Sequence, residues 1–107
     1  MDVMPQTPGH TLLIPKYGTE DIFNLPNDYF THLMDAKQRI AKAIKNAYEP
    51  TGVMIMQLNG KEAGQTVFHL HFHIIPRKDG LNYKFHSSEI VSFSELEKEA
   101  EKIKKWL

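Results

Sequence analysis

The sequence contains no cysteine. That excludes a disulfide framework, a thiolate nucleophile and a cysteine-ligated zinc site, and it suits a reducing compartment. Charge of one sign is lacking too. Thirteen basic residues offset thirteen acidic ones without a long block of either, so no broad field exists to draw nucleic acid or an anionic membrane. No apolar run is long enough to span a bilayer, and the opening MDVMPQTPGH has neither the charged region nor the apolar stretch of a signal peptide. The expectation is a soluble, cytoplasmic protein with no nucleic-acid or membrane partner, in which any phosphate binding is local. A chain of 107 residues suits one domain, 1–107, with room for one site.

What is present falls into a short series of elements. Two prolines and a glycine precede His10, and the apolar run Thr11 to Ile14, closed by Pro15, reads as a strand after a loop. From Asn27 to Tyr48 the apolar residues Leu33, Ile40, Ile44 and Ala47 recur near helical spacing, and Pro50 stands just beyond. Val53 to Leu58 is almost wholly apolar, as in a strand covered on both faces. A glycine-bearing loop, Asn59 to Gln65, leads into Thr66 to Ile75, where polar and apolar residues alternate until Pro76 should stop the ladder. Near the end, Ser92 and Glu95 fit a capping box and Val91 with Leu96 a hydrophobic staple, predicting a helix with Leu96, Ala100, Ile103 and Leu107 on one face. The class is α+β: an antiparallel sheet, one long central helix and a C-terminal helix.

Three of the six histidines, His69, His71 and His73, alternate with Leu70, Phe72 and Ile74. On a strand this places the imidazoles in one row, roughly 6.5–7 Å apart along the chain, with the apolar residues turned to the core. Imidazole titrates near neutrality, so such a row can combine a neutral ring that attacks with an N–H that donates to developing negative charge. Phosphoryl and nucleotidyl transfer need both. A single half-exposed strand histidine is ordinarily a tolerated polar residue, but strict alternation of three favours a site. An H-x-H pair is also a common metal-ligand spacing; yet no Asp, Glu or Cys stands in or beside the strand to complete a site, so no metal is assigned. In the preceding loop, glycines let a ligand approach the backbone closely, with Gln65 and Thr66 at its mouth, an arrangement that suits phosphate but also a plain connection. His10, just before the first strand, can face the same cleft. His32 and His86 show no partner pattern and are expected on the surface.

The run from His69 to Ile75 matches the signature H-φ-H-φ-H-φ-φ, and with PGHTLLIPK and AGQTVFHLHFHIIPR the chain resembles the histidine-triad family, in particular its bacterial Hint-type branch. The resemblance spans about the first three quarters of the chain. It implies a nucleotide hydrolase or transferase with a purine nucleotide or nucleotide conjugate as ligand. The substrates would be purine nucleoside phosphoramidates or related adenylyl conjugates, or dinucleoside polyphosphates, cleaved through a nucleotidyl-histidine intermediate with no required cofactor. It implies roles residue by residue: His71 the nucleophile, His73 on the phosphate, His69 orienting its neighbour, and His10 the family's fourth histidine. Asp2 matches a ribose-binding acid, Gln65 and Thr66 match phosphate-contacting loop residues, and Asn59 remains of two asparagines, Leu58 standing where the other is common. A homodimer through Asn27 to Tyr48 and Val53 to Leu58 is implied as well. The family's N-terminal helix and first strands have no counterpart here, so the expectation is a base pocket open on one side. Two other readings stay open: a nucleotide-binding or scaffold module with little turnover, and an H-x-H metal-binding protein.

Overall fold

The computed structural model describes residues 1–78 and 89–107. Its sheet has three antiparallel strands, β1 (Thr11–Leu13), β2 (Gly52–Met56) and β3 (Phe72–Arg77), in the order β1-β3-β2. β3 is therefore central, with Thr11 opposite Ile74 on one side and Ile55 opposite Ile74 on the other. Two helices complete the fold: α1 (Phe30–Tyr48) between β1 and β2, and α2 (Phe93–Lys104) at the C-terminus. This is the α+β arrangement that the periodicities predict.

α1 lays Leu33, Ala43 and Ile44 against the sheet, where Ala43, Ile44, Ile74 and Ile103 form one buried cluster and Leu25, Leu33, Leu70 and Phe72 another. The expected start at Asn27 is a separate 3-10 turn, Asn27–Tyr29, which feeds the helix. α1 ends at Glu49, whose left-handed backbone (φ 47°) turns the chain ahead of Pro50. Ser92 caps the start of α2, its side chain accepting from the Glu95 N–H, which is the N-cap half of the expected box. Leu96 and Ile103 are buried, whereas Leu107 lies beyond the helix and is exposed, because α2 ends at Lys104. The two helices are tied where the Tyr48 hydroxyl donates to the Glu99 carboxylate. Burial, then Glu99, pushes the Tyr48 phenol far above its ordinary range, so it stays a donor.

Three expectations about the strands need correction. The histidine strand does not begin at Thr66. β3 starts at Phe72, with His69 in a bend and His71 in irregular chain just before it. Pro76 does not stop the ladder either, since β3 continues to Arg77. By then β1 has ended, and the Pro76 carbonyl accepts from the Thr7 hydroxyl at 2.8 Å, so no neighbouring strand needs the missing N–H. β2 stops at Met56 and is an edge strand, with Ile55 45% exposed rather than covered on both faces. Among the described residues no helix is long and apolar enough to cross a membrane.

Candidate active site

The His71 and His73 rings lie against each other. Their ring centroids are 4.9 Å apart in an edge-to-face arrangement, and His69 turns away, its Nε2 lying 3.1 Å from the Pro15 carbonyl. A carbonyl only accepts, so that nitrogen carries the proton. The same logic applies to His71, whose Nδ1 lies 2.7 Å from the His69 carbonyl. Nδ1 is therefore the N–H, and in the neutral ring the lone pair is on Nε2. The group that orients His71 is thus the main chain of His69, not its imidazole. We accordingly expect His69→Ala to lower turnover by less than about tenfold, the oriented carbonyl persisting. A steady-state assay of the variant checks this; a loss matching that of a His71 variant would give the His69 ring a direct role.

His73 and His10 are buried, and the segment from Met1 to Gly9 folds over them. Asp2 N–H donates to the His10 carbonyl and the His10 N–H to the Thr7 carbonyl. His10 Nε2 lies 2.9 Å from His73 Nδ1 and 3.3 Å from Asp2 Oδ2, while the other Asp2 oxygen accepts from the Met4 N–H at 2.8 Å. Asp2 is thus turned inward, onto His10, and a ribose contact would require its carboxylate to be shared or turned. Ligand atoms of Asp2, His10 and His73 lie within 4.8 Å of one another, close enough in principle for a metal ion. An ion there would first have to displace the hydrogen bond between the two imidazoles.

The loop before the triad is braced from within. Gly60 and Gly64 take positive φ on either side of the 3-10 turn Lys61–Ala63, and Gln65, buried beneath, holds it shut. Gln65 Oε1 accepts from the Gly60 N–H at 2.7 Å, and its Nε2 donates to the carbonyls of Glu20 and Val67 at 2.7 and 3.0 Å. Both amide protons are therefore spent on main-chain carbonyls outside the loop. Asn59 is likewise engaged, accepting from the Ile22 N–H at 2.9 Å and pairing with the Gln57 amide. Thr66 is exposed at the loop mouth. A cleft of about 190 Å³ opens beside the triad, lined by Leu12, Ile14, Val67, His69 and His71. The structure thus gathers Asp2, His10, His71 and His73 and sets Gln65 and Asn59 as supports of the loop. His32 is exposed on α1, and His86 lies outside the described residues. Sequence reasoning missed Gln6 and Arg77: the Gln6 N–H donates to His10 Nδ1 at 3.0 Å, and Arg77 Nη1 donates to Gln6 Oε1 at 2.9 Å. No local pattern marks a loop amide that meets a ring four residues on.

Comparison with known proteins agrees with this geometry. The HIT domain family matches residues 1–80. Protein hit of Bacillus subtilis is 42% identical over 77 residues, which are 72% of this chain and 53% of that protein, so the chain spans about half that relative's length. The adenosine 5'-monophosphoramidase of Candida albicans is 35% identical over 114 residues, covering 100% of this chain and 74% of its own. Among solved structures, a Hit-like protein of Bartonella henselae superposes with a TM-score of 0.93 at 43% identity, covering 100% of this chain and 77% of that one.

Proposed function

The chain belongs to the HIT domain family, and from that premise we propose that it cleaves purine nucleoside phosphoramidates or related adenylyl conjugates at the α-phosphate. The observation that carries this reading is the 2.7 Å contact of His71 Nδ1 with the His69 carbonyl. It directs the lone pair of a neutral ring to Nε2, the form a nucleophile requires. Nε2 forms a bond to phosphorus as the bond to the leaving amine or phosphate breaks, the leaving group taking its proton from solvent water and the later attack of water on phosphorus returning one to solvent. Water then displaces His71 from the nucleotidyl-histidine, releasing the mononucleotide and restoring the ring. The name of the Candida albicans relative supports the phosphoramidate class, and that of a Dictyostelium discoideum relative, bis(5'-adenosyl)-triphosphatase, supports dinucleoside polyphosphates as a second group of substrates. The test is hydrolysis of adenosine phosphoramidate by this chain, with intact-mass detection of the adduct in a rapid quench. Failure to turn over any such conjugate would leave the reading as a binding or scaffold module.

In this scheme His73 donates to a phosphate oxygen and no metal or other cofactor is required, since the nucleophile is an imidazole and needs no metal-bound water. A hydrogen bond to a charged group contributes roughly 1.5–3 kcal/mol. We therefore expect His73→Ala to weaken the mononucleotide about ten- to a hundredfold more than the free nucleoside, measured by calorimetry with both ligands. Equal losses would place His73 away from the phosphate.

The partner we propose is a second copy of the chain. The outer face of α1 exposes Phe30 and Met34, at 48% and 61%, next to Ile55 on β2, and together they line one shallow apolar depression. β2 also offers an unpaired edge among the described strands. A copy related by a two-fold axis would cover both features at once. Sedimentation should show a dimer that Met34→Glu converts to monomer; a monomeric parent protein would overturn it.

A further inference from the structure

We propose that the main-chain N–H of Gln6 sets the proton positions of His10 and, through it, of His73, so that His73 presents an uncharged, fixed Nε2–H to its ligand. The assignment rests on the proposed function only for naming that ligand a phosphate oxygen. It begins with an unambiguous donor. The Gln6 N–H points at His10 Nδ1 from 3.0 Å, so Nδ1 supplies a lone pair and cannot also carry a proton. A neutral imidazole has one N–H, and in His10 it must then be at Nε2. That nitrogen lies 2.9 Å from His73 Nδ1. Two N–H groups cannot face each other at this distance, so His73 Nδ1 accepts and its own proton is on Nε2.

The alternative arrangement would have very different chemistry. With its proton on Nδ1, His10 would accept at Nε2, and His73 could then hold protons on both nitrogens and become a cation. The Gln6 amide forbids that state as long as it stays in place. Of the charged and titratable groups that face this pair, Asp2 meets His10 at 3.3 Å, and its negative charge favours a protonated ring. The edge of His71 packs on His73. Arg77 Nη1 donates to Gln6 Oε1 at 2.9 Å and so ties the loop to the end of β3. Gln6 is a positioning residue, acting on the phosphate contact through two rings.

The consequence is a donor that holds its strength across the pH range in which free histidine changes charge. Nitrogen-15 spectra of the imidazoles in the unliganded full chain test it directly. The expected pattern is an unprotonated Nδ1 and a protonated Nε2 for both His10 and His73, unchanged from about pH 8 to about pH 5, where an ordinary histidine titrates. A protonated Nδ1 on His73, or uptake of a second proton within that range, would overturn the proposal. Two variants sharpen it. Gln6→Ala keeps the N–H and should preserve the pattern. Gln6→Pro removes it and should let His73 titrate, and identical spectra for the two variants would count against the assignment. If Gln6→Pro does not fold, the unaltered protein still decides. Because these spectra need no turnover, an inactive chain with the expected pattern would defeat the proposed reaction and leave this inference standing.

Discussion

Replacing His71 with alanine is expected to lower turnover of an adenosine phosphoramidate by about 10⁴-fold or more, because no bond to phosphorus can form without the attacking nitrogen. Binding should change far less. In the proposed reaction the ring supplies the nucleophile, whereas ground-state affinity is assigned to the apolar cleft lined by Leu12, Ile14 and Val67 and to the N–H of His73. Nucleotide affinity is therefore expected within about tenfold of the parent. Single-turnover kinetics and calorimetry on the same preparation separate the two quantities. Retention of more than a few per cent of activity would show that another group attacks, and an equal fall in binding would show that the variant had lost its shape. Among the row of three, His71 alone should behave so: His69 acts through a carbonyl that survives substitution, and His73 has its Nδ1 occupied by His10.

Gly9→Ala is expected to destabilise the fold by about 3 kcal/mol, the combined cost of overpacking and of a left-handed backbone for a residue with a Cβ. Gly9 is buried at φ 94°, and a Cβ there would lie 2.6 Å from Cε2 and 2.9 Å from Cζ of Tyr48. The ring has little freedom to withdraw, since its hydroxyl is held by Glu99 of α2 and Lys102 lies over its face. For a small domain this corresponds to a fall of roughly 10–20 °C in Tm, readable by a thermal melt. The effect should reach the site as well, because the next residue is His10 and the turn returning from Thr7 holds its amide. A shift of only a few degrees would mean that the Tyr48 ring moves freely and that the packing of α1, α2 and the N-terminal segment is looser than these contacts describe.

Some of the molecule follows from the chain read in order. The spacing of Leu33, Ile40 and Ile44 specifies α1 and Ser92 with Glu95 specifies the start of α2, because each pattern is set by interactions within one or two turns; the alternation of His69, His71 and His73 marks the candidate site although only His73 lies within β3. Family membership was legible for the same reason, the signature being contiguous. Tertiary structure alone decided the rest. That β3 runs through Pro76 depends on its pairing there with Val53 of β2, while Thr7, 69 residues away in sequence, bonds the Pro76 carbonyl on the other side. Likewise His73 meets His10 across 63 residues, and Gln65 closes its loop through Glu20, 45 residues back. Hydrogen-bond partners of buried polar groups are chosen by proximity in space, and burial makes that choice costly to change. A polar side chain seen only in sequence, such as Gln65 or Asp2, therefore looks equally ready for ligand or for scaffold. The fold determines which groups are spent on structure, and so which nitrogen of each histidine holds a proton and which holds a lone pair.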